Sequence, residues 1–156
     1  IMKLIFPHIL IILITLSNCG FKVIKQSTDA NLNISKIVSE GDRRIGYQIK
    51  NKLAFYSQES SSNLSELNLE IIKEKKIKEK NIKNEITKYE LQIKINIKHY
   101  KPLTGTVNTF SLIESQSYTV DKQHSQTLNN EKKVINLLTD KLFDQIILKL
   151  LETNDL

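Results

Sequence analysis

The residue with the clearest chemical potential in this sequence is its one cysteine, Cys19. It follows an apolar stretch, residues 4–16, that begins directly after the positively charged Lys3, and it stands in the motif LSNCGF (residues 16–21). A positive start, a short apolar region and a small or polar segment before a cleavage site are typical of a secretory signal peptide. With cysteine as the first residue after cleavage, the pattern predicts a signal peptide over residues 1–18 and a diacylglycerol on Cys19.

Other interpretations of this N-terminal region stay open. A single cysteine is commonly a buried residue of a protein core. The apolar segment is alternatively an uncleaved anchor in the inner membrane ahead of a periplasmic domain, although residues 4–16 are fewer than the roughly 20 that span a bilayer. Asn18 occupies the position where lipoprotein signals usually have Gly, Ala or Ser. Cleavage before Cys19 would leave residues 19–156 as a single domain of ordinary size.

No set of residues in the sequence predicts an enzyme. The histidines His8, His99 and His124 are isolated, with His99 expected on a strand and His124 in a loop, and no Cys/His spacing is typical of a metal site. Neither a G-x-S-x-G motif nor a phosphate-binding glycine loop is present. We therefore expect a binding or assembly role, without catalytic residues, metal or cofactor.

The charge is basic, with a formal net value of +6. Such a balance favours an acidic partner, and export across the membrane excludes nucleic acid as the default. Lysine and glutamate dominate residues 73–80, which is most simply a solvated surface. Alternatively, its lysines and Lys83 bind phosphate groups as point charges.

Several local patterns predict the secondary structure. Residues 33–38 have the character of a strand that Gly41 and Asp42 end, and Asp42 is a candidate N-cap for a helix that runs to about Tyr56. An apolar stripe at intervals of four residues lies along this helix. A second helix is predicted after a cap at Asn129 or Asn130. The stripe of the first helix is Ile45, Ile49 and Leu53; that of the second is Ile135, Leu138, Leu142, Ile146 and Leu150, widened by Leu137, Phe143 and Ile147.

Residues 89–98 alternate strictly between apolar and polar side chains, which predicts a long strand with one buried face. Pro102, Thr104 and Gly105 form a turn into a second strand over residues 106–120, whose inner face carries Phe110, Leu112, Tyr118 and Val120. Residues 67–83 are ambiguous, because their composition favours a helix while their first residues alternate like a strand. The neighbouring hairpin favours a third strand. These elements predict an α+β fold: a two-layer sandwich with two amphipathic helices on one face of a four-stranded, mostly antiparallel sheet.

In this order, the elements resemble the lipopolysaccharide-assembly lipoprotein family, LptE. The resemblance begins with LSNCGF (16–21), which has Gly and an aromatic residue after the cysteine, as in the lipobox of the family. RRIGYQIKNKL (43–53) is similar to the first helix of the family, and NEITKYEL (84–91) is similar to the turn into its longest strand. DKLFDQIILKL (140–150) is similar to its closing helix. Together these stretches extend over most of residues 19–156.

The resemblance implies a specific role. Members of the family are anchored by lipid to the outer membrane, on its periplasmic side, where they plug the β-barrel LptD and assist the insertion of lipopolysaccharide into the outer leaflet. Their fold implies that residues 67–83 form a strand and a turn. The family also implies lipopolysaccharide contact near the strand-connecting turns, where Lys83 takes the position of a basic residue. To Lys83 we add Lys78 and Lys80 as candidate contacts, because lysines of this segment can meet lipid A phosphates as point charges. An alternative is a periplasmic lipoprotein carrier that binds an anionic lipid or polysaccharide by itself, in a cavity between sheet and helices.

Overall fold

The computed structural model describes residues 32–55 and 64–154, which form four strands and two helices. The predicted lipidation site Cys19 and the predicted signal peptide lie outside these residues. The elements in chain order are β1 (Ile34–Gly41), α1 (Arg43–Ala54), β2 (Ser65–Lys80), β3 (Ile86–Lys101), β4 (Thr106–Thr119) and α2 (His124–Asn154).

The four strands form one sheet in the order β1-β2-β3-β4. β1 runs parallel to β2, whereas β2 with β3 and β3 with β4 are antiparallel. Both helices contribute to a single apolar core on one face of the sheet, α1 over β1 and β2, and α2 over β3 and β4. This architecture confirms the predicted α+β sandwich with a mostly antiparallel sheet.

The alternation of β3 decides which face of the sheet is buried. Its odd-numbered apolar residues from Leu91 to Ile97 are at most 2% exposed, whereas the even-numbered polar residues between them lie on the outer face. The inner face of β2 continues this core with Leu67, Leu69 and Ile71. The prediction of a strand for residues 67–83 is therefore confirmed up to Lys80, because pairing with β3 along its whole length outweighs the helical propensity of its lysines and glutamates.

The connection from β1 to α1 depends on two adjacent residues. Gly41 has a φ of +91°, and a Cβ at this position would lie 2.0 Å from the carbonyl oxygen of Ile71, so only glycine fits. Asp42 then caps α1, as predicted, because its carboxylate accepts hydrogen bonds from the N–H groups of Arg44 and Ile45. α1 ends at Ala54; Tyr56, its predicted end, lies outside the described residues.

α2 differs from the prediction in its start and in one face. It begins at His124, and the N–H groups of Gln126 and Thr127 already donate to the carbonyl of Gln123, so the predicted cap at Asn129 or Asn130 is wrong. His124 is accordingly a helical residue and not a loop residue. Leu137 is 46% exposed, because it lies on the side of the helix opposite Ile135. The rest of the predicted stripe is buried, including Phe143 and Ile147.

Candidate functional site

The turn between β2 and β3 carries the lysine that the resemblance singles out. Asn81 organises this turn: its side-chain oxygen accepts hydrogen bonds from the N–H groups of Lys83 (2.9 Å) and Glu85 (3.0 Å). Its amide nitrogen donates to the Glu85 carboxylate at 2.7 Å. Asn84 adopts a positive φ of 63°, which asparagine tolerates in turns. The turn is therefore held in one conformation by its own side chains.

The three predicted contact residues are not equivalent within this hairpin. Lys83 is exposed and, among the described residues, its ammonium has no side-chain partner. Lys80 donates to the uncharged amide oxygen of Asn84 at 3.0 Å. Lys78 forms an ion pair with Glu90 at 2.7 Å. A negatively charged ligand would therefore meet one free cation, one weakly engaged cation and one that is already neutralised.

Two other lysines of the basic segment point in a different direction. Lys73 and Lys75 continue the inward-facing series of β2 and reach the helix layer: Lys73 pairs with Asp42 at 2.5 Å, and Lys75 pairs with Glu131 of α2 at 2.6 Å. The ammonium groups of these two lysines are therefore engaged by carboxylates of the helix layer. This orientation was readable from the sequence, because side chains alternate between the two faces of a strand and positions 73 and 75 are, like Leu67 and Leu69, odd-numbered.

Lys75 is the centre of a small polar and aromatic cluster. Its ammonium lies 4.4 Å from the ring centroid of Tyr89 and 5.5 Å from that of Tyr118, both in the range of cation–π contacts. The hydroxyl of Tyr118 donates to the Glu131 carboxylate at 2.8 Å. The cluster ties β2, β3 and β4 to α2 at the end of the sandwich nearest the turn.

The ionisation of this end follows from these contacts. Burial alone would raise the pKa of Glu131, but the hydrogen bonds from Lys75 and Tyr118 outweigh it and hold the pKa below its ordinary value. Burial is likewise outweighed at Asp42, where Lys73 and the first-turn N–H groups lower the pKa. Burial alone would lower the pKa of Lys75, but the interactions with Glu131 and Tyr118 outweigh burial and hold the pKa above its ordinary value. All three groups are charged at neutral pH.

An exposed apolar residue lies beside Lys83, and sequence reasoning did not single it out. Ile82 is fully exposed at the apex of the turn, and Ile77 is 51% exposed on β2. The apex therefore presents a cation and an apolar side chain together on an ordered turn. Residues of both kinds suit a ligand that combines phosphate groups with lipid chains.

The outer face of the sheet is mostly polar, as predicted, although it also carries Ile72, Val107 and Ile113. A hydrogen-bonded ladder crosses three strands, in which Ser111 donates to Asn96 at 2.7 Å and Asn96 donates to Glu70 at 2.8 Å. This ladder lines an open groove of about 570 Å³. Other residues at the groove include Glu40, Asn68, Lys98 and Thr109.

His99 takes an inner-face position of β3 and is 1% exposed, and burial lowers the pKa of its imidazole. Its ring nitrogen lies 3.4 Å from the Thr153 hydroxyl of α2. Across residues 32–55 and 64–154, no group of three or more His, Cys, Asp and Glu side chains is arranged to hold a metal ion. Within the same part of the chain, neither helix has the length and apolar character required to cross a membrane.

The comparisons with known proteins bear on the fold. No protein-family model matches the chain, and no curated protein matches its sequence. Solved structures do match. A protein of Caulobacter crescentus CB15 assigned as a lipoprotein has a TM-score of 0.58 and 16% sequence identity, over 79% of this chain and 90% of that one.

Two further solved structures give the same result. Lipoprotein B from Nitrosomonas europaea has a TM-score of 0.55 and 15% identity, over 82% of this chain and 88% of that one. Rare lipoprotein B from Shewanella oneidensis has a TM-score of 0.51 and 12% identity, over 77% and 93% of the two chains. At these identities the likeness establishes a common fold, and the three proteins named here are described as bacterial lipoproteins.

Proposed function

We propose that this protein is a lipid-anchored lipoprotein on the periplasmic side of the outer membrane, where it plugs an LptD-type β-barrel and assists lipopolysaccharide insertion. The motif at Cys19 and the fold shared with bacterial lipoproteins support the anchored state. One acyl chain binds a membrane reversibly, but two or more hold a protein firmly. The role we propose is structural and involves no catalysis.

The observation that carries this proposal is the filled interior of the sandwich. A carrier of lipid needs a cavity between the sheet and the helices. Here the side chains that face each other across this space, such as Ile49, Leu138, Leu142 and Ile93, have no exposed surface. The groove of about 570 Å³ lies on the opposite, outer face. A closely packed body favours the plug over the carrier.

The polar outer face supports the same role. The lumen of a large membrane β-barrel is polar and filled with water, unlike its lipid-facing surface. A sheet whose outer face carries hydroxyl, amide and charged side chains is compatible with such a lumen. Examples are Lys94, Asn96, Lys98, Ser111 and Ser115.

Within this role, we infer that lipopolysaccharide phosphates contact the β2–β3 turn. Lys83 is the first candidate because its charge is unpaired among the described residues. Lys80 is the second, since it gives up only a bond to an amide oxygen. Lys78 must exchange Glu90 for a phosphate, so its contribution is the smallest of the three.

The first test is co-purification. Tagged protein is extracted with detergent from outer membranes, and the proteins that accompany it are identified by mass spectrometry. A large β-barrel protein in equal amount is expected; a barrel-free lipoprotein would contradict the plug and favour the carrier.

A separate variant, Cys19→Ala, tests the lipid anchor. The mass of its N-terminal peptide should lack the lipid, and the protein should no longer associate with the membrane. A Cys19→Ala protein that stays membrane-bound at full length would show that the anchor prediction is wrong.

The second test concerns the turn. Lys83→Ala should weaken the binding of purified lipopolysaccharide by about fivefold, corresponding to roughly 1 kcal/mol for one charge-assisted contact. The matched control is Lys50→Ala, which removes another exposed lysine, from α1. Equal losses in the two variants would mean that net charge, and not the turn, controls binding.

A further inference from the structure

The two helices form an open groove where their exposed sides meet, which we call the helix-junction groove. Gln48 of α1 donates to Asn136 of α2 at 3.4 Å, and one turn further along both helices Lys52 forms an ion pair with Asp140. Both contacts join residues that are 88 positions apart, so the helices run in the same direction and equal steps along them keep facing residues level. The groove at these contacts has a volume of about 460 Å³.

One turn before the amide contact, the same spacing brings two cations level with each other. Arg44 on α1 and Lys132 on α2 are separated by the same 88 positions, and both side chains are exposed. Among the described residues neither has an acidic partner. The carboxylates next to them in the chain, Asp42 and Glu131, already form ion pairs with lysines of β2. Because like charges that face each other are unfavourable, this level of the groove is complementary to an anion.

The rim of the groove on α1 is partly aromatic. Tyr47, Asn51 and Phe55 follow one another at intervals of four residues and form one row on the outer side of the helix. Tyr47 is 67% and Phe55 88% exposed. Arginine and aromatic side chains are enriched at protein–protein interfaces and provide much of the binding energy there. The composition of this surface therefore favours a protein as its partner.

The lining of the groove indicates which part of a protein would fit. Three of the lining side chains, Gln48, Asn51 and Asn136, are amides. An amide has both a donor and an acceptor, as a peptide group does, so these side chains match the N–H and C=O groups of an extended segment. A carboxylate on such a segment would accept charge-assisted hydrogen bonds from Arg44 and Lys132.

We propose that the helix-junction groove binds an extended, acidic segment of the barrel protein that reaches from the barrel wall into the lumen. This inference rests on the proposed function, which supplies the barrel as the partner. A carboxylate of the segment pairs with Arg44 and Lys132, its backbone bonds to the amides of the groove, and Tyr47 packs against it. Because the β2–β3 turn is not part of this groove, barrel and lipopolysaccharide have separate surfaces on the plug.

Charge reversal tests the two cations, with the full, tagged chain extracted from outer membranes. The double variant Arg44→Glu/Lys132→Glu should reduce the amount of co-purified barrel by about tenfold, because it converts two attractions into repulsions. The matched control is Lys50→Glu/Lys141→Glu, which also reverses one exposed charge on each helix but lies outside the groove. It should recover as much barrel as the parent chain. Circular dichroism establishes that both double variants are folded.

Photo-cross-linking identifies the occupant of the groove in the otherwise unchanged chain. Tyr47 is replaced by p-benzoylphenylalanine, and the control carries this residue in place of Leu148 of α2, which is 62% exposed and lies outside the groove. Irradiation of outer membranes should link position 47 to a barrel peptide that contains Asp or Glu, as identified by mass spectrometry. Position 148 should link to this peptide far less.

Three results would overturn the inference although the parent chain co-purifies with a barrel. They are equal recovery of the barrel by the two double variants, a cross-link from position 47 to lipopolysaccharide alone, and equal linkage of the same barrel peptide to positions 47 and 148. If the parent chain recovers no barrel, the proposed function fails and the inference fails with it. The two kinds of failure are thus distinguished by the parent chain.

Discussion

The inner face of β2 has two halves that stabilise the sandwich in different ways. Leu67, Leu69 and Ile71 are at most 2% exposed and belong to the apolar core. The next inward positions of the same strand are Lys73 and Lys75, whose side chains are 35% and 38% exposed and form ion pairs. One strand thus passes from hydrophobic burial to electrostatic attachment within a few residues.

This change from apolar residues to lysines occurs where the helix side chains that cover the sheet change from apolar to acidic. The apolar half lies beneath the stripes of α1 and α2, whereas the charged half meets carboxylates of the helix layer, Asp42 at the start of α1 and Glu131 near the start of α2. Lysine suits this position because its long apolar stem can lie along the sheet while its ammonium reaches a partner near the solvent. The comparison shows that a strand's inner face need not be apolar along its whole length.

The largest expected effect tests the apolar half. Leu69→Ala should lower the free energy of unfolding by about 2–5 kcal/mol, because it removes buried methyl groups and leaves a cavity. Urea denaturation measures the loss. The matched control is Ile72→Ala on the same strand, where the side chain is 36% exposed and the loss should be well under half as large. Equal losses would contradict the distinction between the two faces.

A smaller effect is expected in the charged half. Lys75→Met keeps the apolar stem but removes the ammonium from Glu131, Tyr89 and Tyr118, and should cost about 1 kcal/mol because solvent partly screens the pair. Lys78→Met removes the more exposed pair with Glu90 and should cost about 0.5 kcal/mol or less. Denaturation curves of the two variants are compared directly. A greater loss for Lys78→Met would show that the inward cluster is not the stabilising one.

The smallest effect is the pH dependence of the charged half. The folded-state pKa values of Asp42 and Glu131 lie below their ordinary values of 3.8 and 4.5. Their stabilisation is therefore complete at neutral pH and is lost as the pH falls through these folded pKa values. The variant with Asp42→Asn and Glu131→Gln should lose less stability than the parent between pH 7 and about 3. If the double variant lost as much stability as the parent over this pH range, the loss would come from other carboxylates.

Much of the fold was predictable from local patterns. The alternation of residues 89–98, the stripe of α1 and the cap at Asp42 each depend on neighbours in the sequence, and the structure confirms all three. The start of α2 was not predictable in this way. Its first turn depends on Thr127, whose hydroxyl accepts from the N–H of Asp121, while Asn130, the expected cap, reaches across to β4.

At the candidate site, too, some features followed from the sequence and others only from the three-dimensional arrangement. Lys83 was identified through the resemblance, and its contact with lipopolysaccharide stays a prediction. The division of the lysines between turn and helix layer, and the exposed Ile82 beside Lys83, depended on the three-dimensional arrangement.

By itself, the sequence determined the type of most elements and the face that each one buries, because side-chain periodicity and helix capping act over a few neighbouring residues. Only the tertiary structure decided where the strand predicted over residues 67–83 begins and ends, at Ser65 and Lys80, and which of its lysines are neutralised. The physical reason is that these properties belong to pairs distant in the chain, such as Lys75 with Glu131. No local pattern specifies such a pair before the strands and helices are assembled.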